Sequence, residues 1–226
     1  MPRRNRVDPS GDLHAVAQRG LFTGNRGCLV DDTEQVVRHH RGNLWITCVL
    51  EYGERRVGLA RPDRWTPIFF LDDAVALAAG HRPCGECRWR AYLAYRDAVS
   101  VATGTQMRAG ELNRLLATER LRRGHGVARA ADRRTWTAPA TQLPDGTVVR
   151  TDGPRLVLGG ALHAFAFDGW HSPAPLPDGP VTVLTPPTSV AALRHGFRPV
   201  LHPTAQNSAG RDQPDVAHVH QSSHTP

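Results

Sequence analysis

Lysine is absent from this chain: all 28 basic residues among its 226 are arginine, against 21 acidic ones, for a formal net charge of +7. The codon bias of a GC-rich genome accounts for that choice, but it has a physical consequence. Every permanent positive charge sits on a planar fork that suits phosphate better than a lysine point charge does. With a pI near 10.2, a polyanion is the expected kind of partner. Long apolar runs are missing too; none nears the roughly 18 residues of a membrane-spanning helix. The opening Met1-Pro2-Arg3-Arg4-Asn5-Arg6 has no apolar stretch behind its charges, so no secretory leader is expected. The expected compartment is the cytoplasm, where thiols stay reduced. Patterns for a P-loop, a nucleophile elbow and a dinucleotide-binding glycine run are also absent. Cysteine is scarce: Cys28, Cys48, Cys84 and Cys87 are the full set.

The chain is long enough for a real core in one or two domains. Residues 1–20 are polar and arginine-rich and are expected to form a flexible arm. A first α+β domain is expected over 21–138. Within it Leu44, Ile46, Cys48 and Leu50 alternate, which places them on one inward face, and Gly53-Glu54 suits a hairpin turn. Asp72 is placed to cap a short alanine-rich helix that stops at Gly80. A second helix begins near Cys87 with a stripe of Trp89, Tyr92, Leu93, Arg96 and Val99. A third, over about 111–123, turns Leu112, Leu115 and Leu116 inward.

A smaller β-rich unit is expected over 139–204. It has strands near 147–150, 155–158, 161–167 and 181–184, a proline-rich connector at 172–180, and a short helix ending at Gly196. Residues 205–226 are polar and expected to be disordered. The resulting fold class is α+β: a zinc-stapled antiparallel meander with helices, then a β-rich unit. Gly80-His81-Arg82-Pro83-Cys84 has an echo in Gly196-Phe197-Arg198-Pro199-Val200. A shared helix-ending corner explains it better than a duplication.

Four thiols in so long a chain point to one tetrahedral zinc site made by Cys28, Cys48, Cys84 and Cys87. The Cys84-x-x-Cys87 spacing wraps two thiolates around one ion at about 2.3 Å each. Such an ion ties together elements that would otherwise be weakly held. Other readings stay open. Cys48 suits a plain buried hydrophobe, Cys84 and Cys87 a redox pair, and His40 or His81 could replace one cysteine.

Phe69-Phe70, then Ala76-Leu77-Ala78-Ala79-Gly80, then Arg82-Pro83-Cys84-x-x-Cys87 resemble, in order and spacing, the metal-binding domain of the Ada family of bacterial adaptive-response proteins. That domain repairs methyl phosphotriesters in DNA. The likeness covers residues 69–88, with His81 at the family's aromatic position. It implies one zinc held by four cysteines, one of which takes a methyl group from a phosphotriester. Methylation removes a unit of negative charge and raises affinity for the phosphate backbone. The family's other pair is a C-x-x-x-C loop, whereas Cys28 and Cys48 are twenty residues apart. Only Cys84 and Cys87 therefore transfer as ligands. Cys28, in a loop bearing arginine and glycine, is the expected methyl acceptor.

Arg114, Arg120, Arg122, Arg123, Arg129, Arg133 and Arg134 stand against only Glu111, Glu119 and Asp132, and are the expected nucleic-acid contacts. The plain alternative is a solvated helix face with Glu–Arg pairs. His39-His40 suits a solvated hairpin tip better than a metal-dependent nuclease, which needs further ligands. The functional expectation is a zinc protein that contacts DNA, in repair by methyl transfer or in its regulation. A structural-zinc binding module and a metal-dependent nuclease are the alternatives.

Overall fold

The structure is a computed structural model that describes residues 2–56, 58 and 60–205. Short strands open the chain: β1 (Arg6–Val7), β2 (Leu13–His14), β3 (Phe22–Asn25) and β4 (Ile46–Cys48). A hairpin of β5 (Glu51–Tyr52) and β6 (Arg55–Arg56) precedes β7 (Ile68–Phe70), α1 (Asp73–Ala78) and β8 (Arg82–Pro83). Two longer helices follow, α2 (Trp89–Thr103) and α3 (Ala109–Arg120). The last third holds β9 (Trp136–Pro139), β10 (Val148–Arg150), β11 (Pro154–Leu158), β12 (Ala161–Ala166), β13 (Gly169–Pro175), β14 (Pro180–Val183) and α4 (Pro187–Arg194).

One sheet runs β2-β1-β7-β3-β4-β8, with β1–β7 and β4–β8 parallel and the other neighbours antiparallel. A second, wholly antiparallel sheet runs β13-β12-β11-β10-β14-β9. The class is α+β, as expected. Among the described residues no helix is long and apolar enough to cross a membrane.

Asp72 caps α1 as its position predicts, accepting from the backbone amide of Val75 at 3.0 Å. Its other oxygen accepts from the indole of Trp170 at 2.6 Å and the amide of His202 at 3.0 Å. Burial pushes this carboxyl up to about 6, against the pull of the Trp170 bond. The helix stops at Gly80, whose φ of 88° is left-handed. The amide of His81 then reaches back to the carbonyl of Ala76 at 2.9 Å. Phe197 makes the same bond to Ala192 after Gly196, at φ 104°. The two Gly-x-Arg-Pro segments are thus one helix-ending corner used twice.

One core joins the two halves. Val7, Leu13, Ile68, Phe70 and α1 pack with Val148, Leu156, Trp170 and Leu184. A second cluster sets Tyr92, Tyr95 and Val99 of α2 against Leu112 and Leu116 of α3 and Leu193 of α4.

Several expectations need correcting. Residues 1–20 are not a loose arm, because Val7 and Leu13 are buried in paired strands of the first sheet. The inward face before Cys48 is the opposite one: Trp45 and Thr47 are buried, whereas Leu44 and Leu50 are exposed. Trp89 is 53% exposed, because α2 buries Tyr92 and Tyr95 instead. The proline-rich connector begins inside β13, an edge strand, where prolines cost no ladder bond. The expected disordered tail from residue 206 onward lies outside the described residues.

Replacing Asp72 with alanine would remove the acceptor of three hydrogen bonds, two of them buried. Each such loss costs roughly 1–3 kcal/mol, so Asp72→Ala should destabilise the fold by about 3 kcal/mol or more. A urea titration of the variant against wild type reads this directly.

Candidate metal centre

The parallel pair β4–β8 builds the site. Ile46 registers with Arg82 and Thr47 with Pro83. The amide of Cys84 donates to the carbonyl of Thr47 at 2.9 Å. That bond fixes Cys48, the next residue, beside the Cys84–Cys87 turn. The Sγ atoms of Cys48, Cys84 and Cys87 all lie within 4.8 Å of one another. A tetrahedral ion with bonds of about 2.3 Å needs sulfurs about 3.8 Å apart, so modest closure of the three side chains suffices to hold a metal.

Backbone amides support the sulfurs. Glu86 donates to Cys84 Sγ at 3.4 Å, and the amide of Val49 bonds Cys87. The Cys48 thiol also bonds the Cys84 sulfur, and with the amides this draws Cys84 down to about 5. Cys48 moves the opposite way, upward, as the hydrogen-bond donor of that pair in a half-buried place. Arg82 is held behind the thiols by Asn113 Oδ1 at 2.9 Å and the carbonyl of Pro83 at 2.8 Å. Asp73 and Arg88 pair in two parallel bonds of 2.6 and 2.8 Å, fixing the start of α2 after Cys87.

Cys48, Cys84 and Cys87 all line one cavity of about 240 Å³. Its walls include Thr23, Asn25, Ile46, Tyr52, Trp65 and Glu86. Tyr52, Trp65 and Trp89 are the exposed large aromatics among the described residues. The first two line this cavity, and the third follows Cys87 by two residues. No motif marked Tyr52 or Trp65 in the sequence. Their only signal was their rarity in a chain with 6% aromatic residues.

Cys28 is elsewhere. It stands outside the three-sulfur group, and its thiol donates to the carbonyl of Val30 at 3.5 Å. The reason is topological: β3 ends at Asn25, and the chain leaves the sheet before reaching Cys28. His81 does not join the sulfurs either; it is fully buried between Phe70 and Trp45, at ring distances of 4.7 and 5.1 Å. His39 is not at a solvated tip but buried, its Nε2 2.9 Å from the carbonyl of Gly11. Burial holds His40 down at about 4 and His39 lower still.

The seven arginines split. Arg120, Arg129 and Arg133 are buried and bond backbone: Arg120 to Gly80 and Asn43, Arg129 to Arg122, and Arg133 to Ala78, Ala79 and Leu184. Arg114, Arg122, Arg123 and Arg134 are exposed. Comparison with known proteins finds no matching family model, curated protein or solved structure.

Metal analysis of the purified chain should find close to one divalent ion per molecule. Cys48→Ser and Cys84→Ser should each lose most of it, whereas Cys28→Ser should keep it. Equal loss from all three variants would contradict the three-sulfur centre.

Proposed function

We propose that Cys48, Cys84 and Cys87 hold zinc, and that one of these thiolates accepts a methyl group from a neutral phosphotriester in DNA. The observation that carries the reading is that Cys48, Cys84 and Cys87 all line a single open cavity, which gives the centre a route from outside. An all-thiolate donor set is soft and favours zinc among the common divalent ions. Zinc in such a site keeps the cysteines deprotonated yet nucleophilic near neutral pH.

The cavity also suits the substrate. Tyr52, Trp65, Ile46 and Leu50 give it aromatic and aliphatic wall, and Glu86, which also lines it, adds no attraction for a charged phosphodiester. A methylated phosphate is neutral and suits such a lining better. In the transfer a sulfur–carbon bond forms as the methyl carbon–oxygen bond breaks. The phosphate leaves as an ordinary diester anion. No proton, oxidant or reductant is needed. The acceptor in this reading is a cavity cysteine and not Cys28. The Ada-like order of residues 69–88 supports the same chemistry.

The test is to incubate zinc-loaded protein with duplex DNA carrying labelled methyl phosphotriesters and map the label. One label per chain on a peptide bearing Cys48, Cys84 or Cys87 is expected, and none after Cys84→Ser. Stoichiometric zinc without any transfer would make the ion purely structural, and label on Cys28 would refute the site.

A further inference from the structure

On the other side of β4, a cleft of about 860 Å³ lies between the segment at residues 40–45 and the end of α3 with its following loop. Five arginines line it, Arg120, Arg122, Arg123, Arg129 and Arg134, and no acidic residue does. Arg129 has Asp132 at 2.7 Å. Among the described residues no carboxylate forms an ion pair with the other four. Glu119, the acid nearest Arg120 in sequence, is occupied by Thr188, at 2.7 Å to its hydroxyl and 3.1 Å to its amide.

Further charge stands behind the wall. Trp45 carries Arg120 at 4.6 Å and Arg26 at 5.3 Å from its ring. Arg26 is fully buried, with Nε and Nη2 unpartnered, and Nη2 of Arg120 is unpartnered too. Burial lowers both guanidinium groups to about 9, which still leaves them charged at neutral pH. The fold therefore concentrates positive charge in a low-dielectric wall, offset only in part by Asp8, Asp12 and Glu119, and this strengthens the field in the cleft.

We propose that this cleft binds the phosphodiester backbone of duplex nucleic acid, by charge and without reading sequence. The planar forks of Arg122, Arg123 and Arg134 reach solvent and suit phosphate oxygens. A protein partner would look for apolar anchors at the centre of its interface. None of the exposed large hydrophobic side chains lines this cleft. Single strands are held largely by stacking on aromatic rings. The one large aromatic here, Trp45, is 1% exposed and already covered by guanidinium groups. Trp45 and Cys48 leave the strand on opposite faces, being an odd number of residues apart. The cleft thus stands on its arginines alone and does not depend on the chemistry proposed for the thiolates.

Fluorescence anisotropy with a labelled 20-base-pair duplex of arbitrary sequence, over a series of salt concentrations, tests this on the full chain. Each phosphate contact contributes a slope of about −0.9 in log K against log salt. The combined Arg122→Glu, Arg123→Glu and Arg134→Glu variant should bind at least tenfold more weakly at low salt. Its slope should be shallower by about 2 to 3, in line with about three lost contacts. Its zinc content and thermal midpoint should match wild type. A control reversing Arg90, Arg150 and Arg198, all exposed and outside the cleft, should bind nearly as wild type does. Equal loss in both variants would mean that net charge alone drives binding and overturns the proposal. So would displacement by polyglutamate as effective as by duplex, tighter binding to a single strand of the same length, or no binding at low salt.

Discussion

The parallel register of β4 against β8 is the constraint on which both surfaces depend. Two strands of three and two residues bond side by side, through Arg82 to Trp45 at 3.3 Å and Cys84 to Thr47 at 2.9 Å. Parallel pairing needs a long crossover, and here that crossover contains β7, α1 and the Gly80 corner. A slip of one residue would turn Cys48 to the core and Trp45 to solvent, because the side-chain period is two. The three sulfurs would then separate, and the guanidinium stack on Trp45 would lose its platform. The site is therefore held by the sheet in the first instance, with thiol chemistry added to it. That explains why α1 is so heavily anchored: its cap Asp72 bonds Trp170 and His202, and Asp73 bonds Arg88 and Val200. Those four partners come from distant parts of the chain. They fix the corner that delivers β8 into register.

Burying arginine is the second theme, and it divides into two kinds. Arg133 bonds the carbonyls of Ala78 and Ala79 at the end of α1, where cations are favoured. Arg82 and Arg88 are likewise committed, to Asn113 and to Asp73. Arg26 and Arg120 differ in stacking on Trp45, and among the described residues they and Arg133 each keep a buried donor with no acceptor. Orphaned donors cost about 1–3 kcal/mol each, so a fold that retains them is less stable than it could be. The neutral histidines nearby sharpen the contrast. His39, His40 and His81 are pushed down by burial and by these same guanidinium groups, so they supply no further charge. What remains is a fixed positive field carried by arginine alone.

Local rules carried far in reading the sequence, and tertiary rules decided the rest. The Asp72 cap, the Gly80 stop, the hairpin at Gly53-Glu54 and four strands of the second sheet, β10, β11, β12 and β14, were legible because each depends on neighbouring residues. Cys84-x-x-Cys87 was legible for the same reason. The face of β4 was not, because Trp45-Ile46-Thr47-Cys48-Val49 is apolar or neutral on both sides. Period alone could not tell core from cavity rim there. Cys28 was misplaced by counting: four thiols invited a four-cysteine site, yet the chain departs from β3 before Cys28 could approach the others. The arginines of α3 and its loop were found as a cluster by composition. Which were structural depended on carbonyls at Gly80, Ala78 and Leu184, far away in the chain.

Having three cysteines in place of four changes the charge arithmetic of the centre. Three thiolates around a divalent ion leave one net negative charge, where four would leave two. Burial lowers the Arg82 guanidinium, and Cys84 and Cys48 pull it the other way. On the proposed reading, methylating one sulfur would remove one negative charge from the centre. It would then repel a phosphate backbone less than before. The step is a single unit of charge either way. It acts, however, in a half-buried cavity bounded by Trp65 and Tyr52 instead of in bulk water. There a unit of charge interacts several-fold more strongly than in solvent. On the proposed reading, the aromatic residues at this cavity are therefore the same feature that would make the loss of a methyl group register in binding.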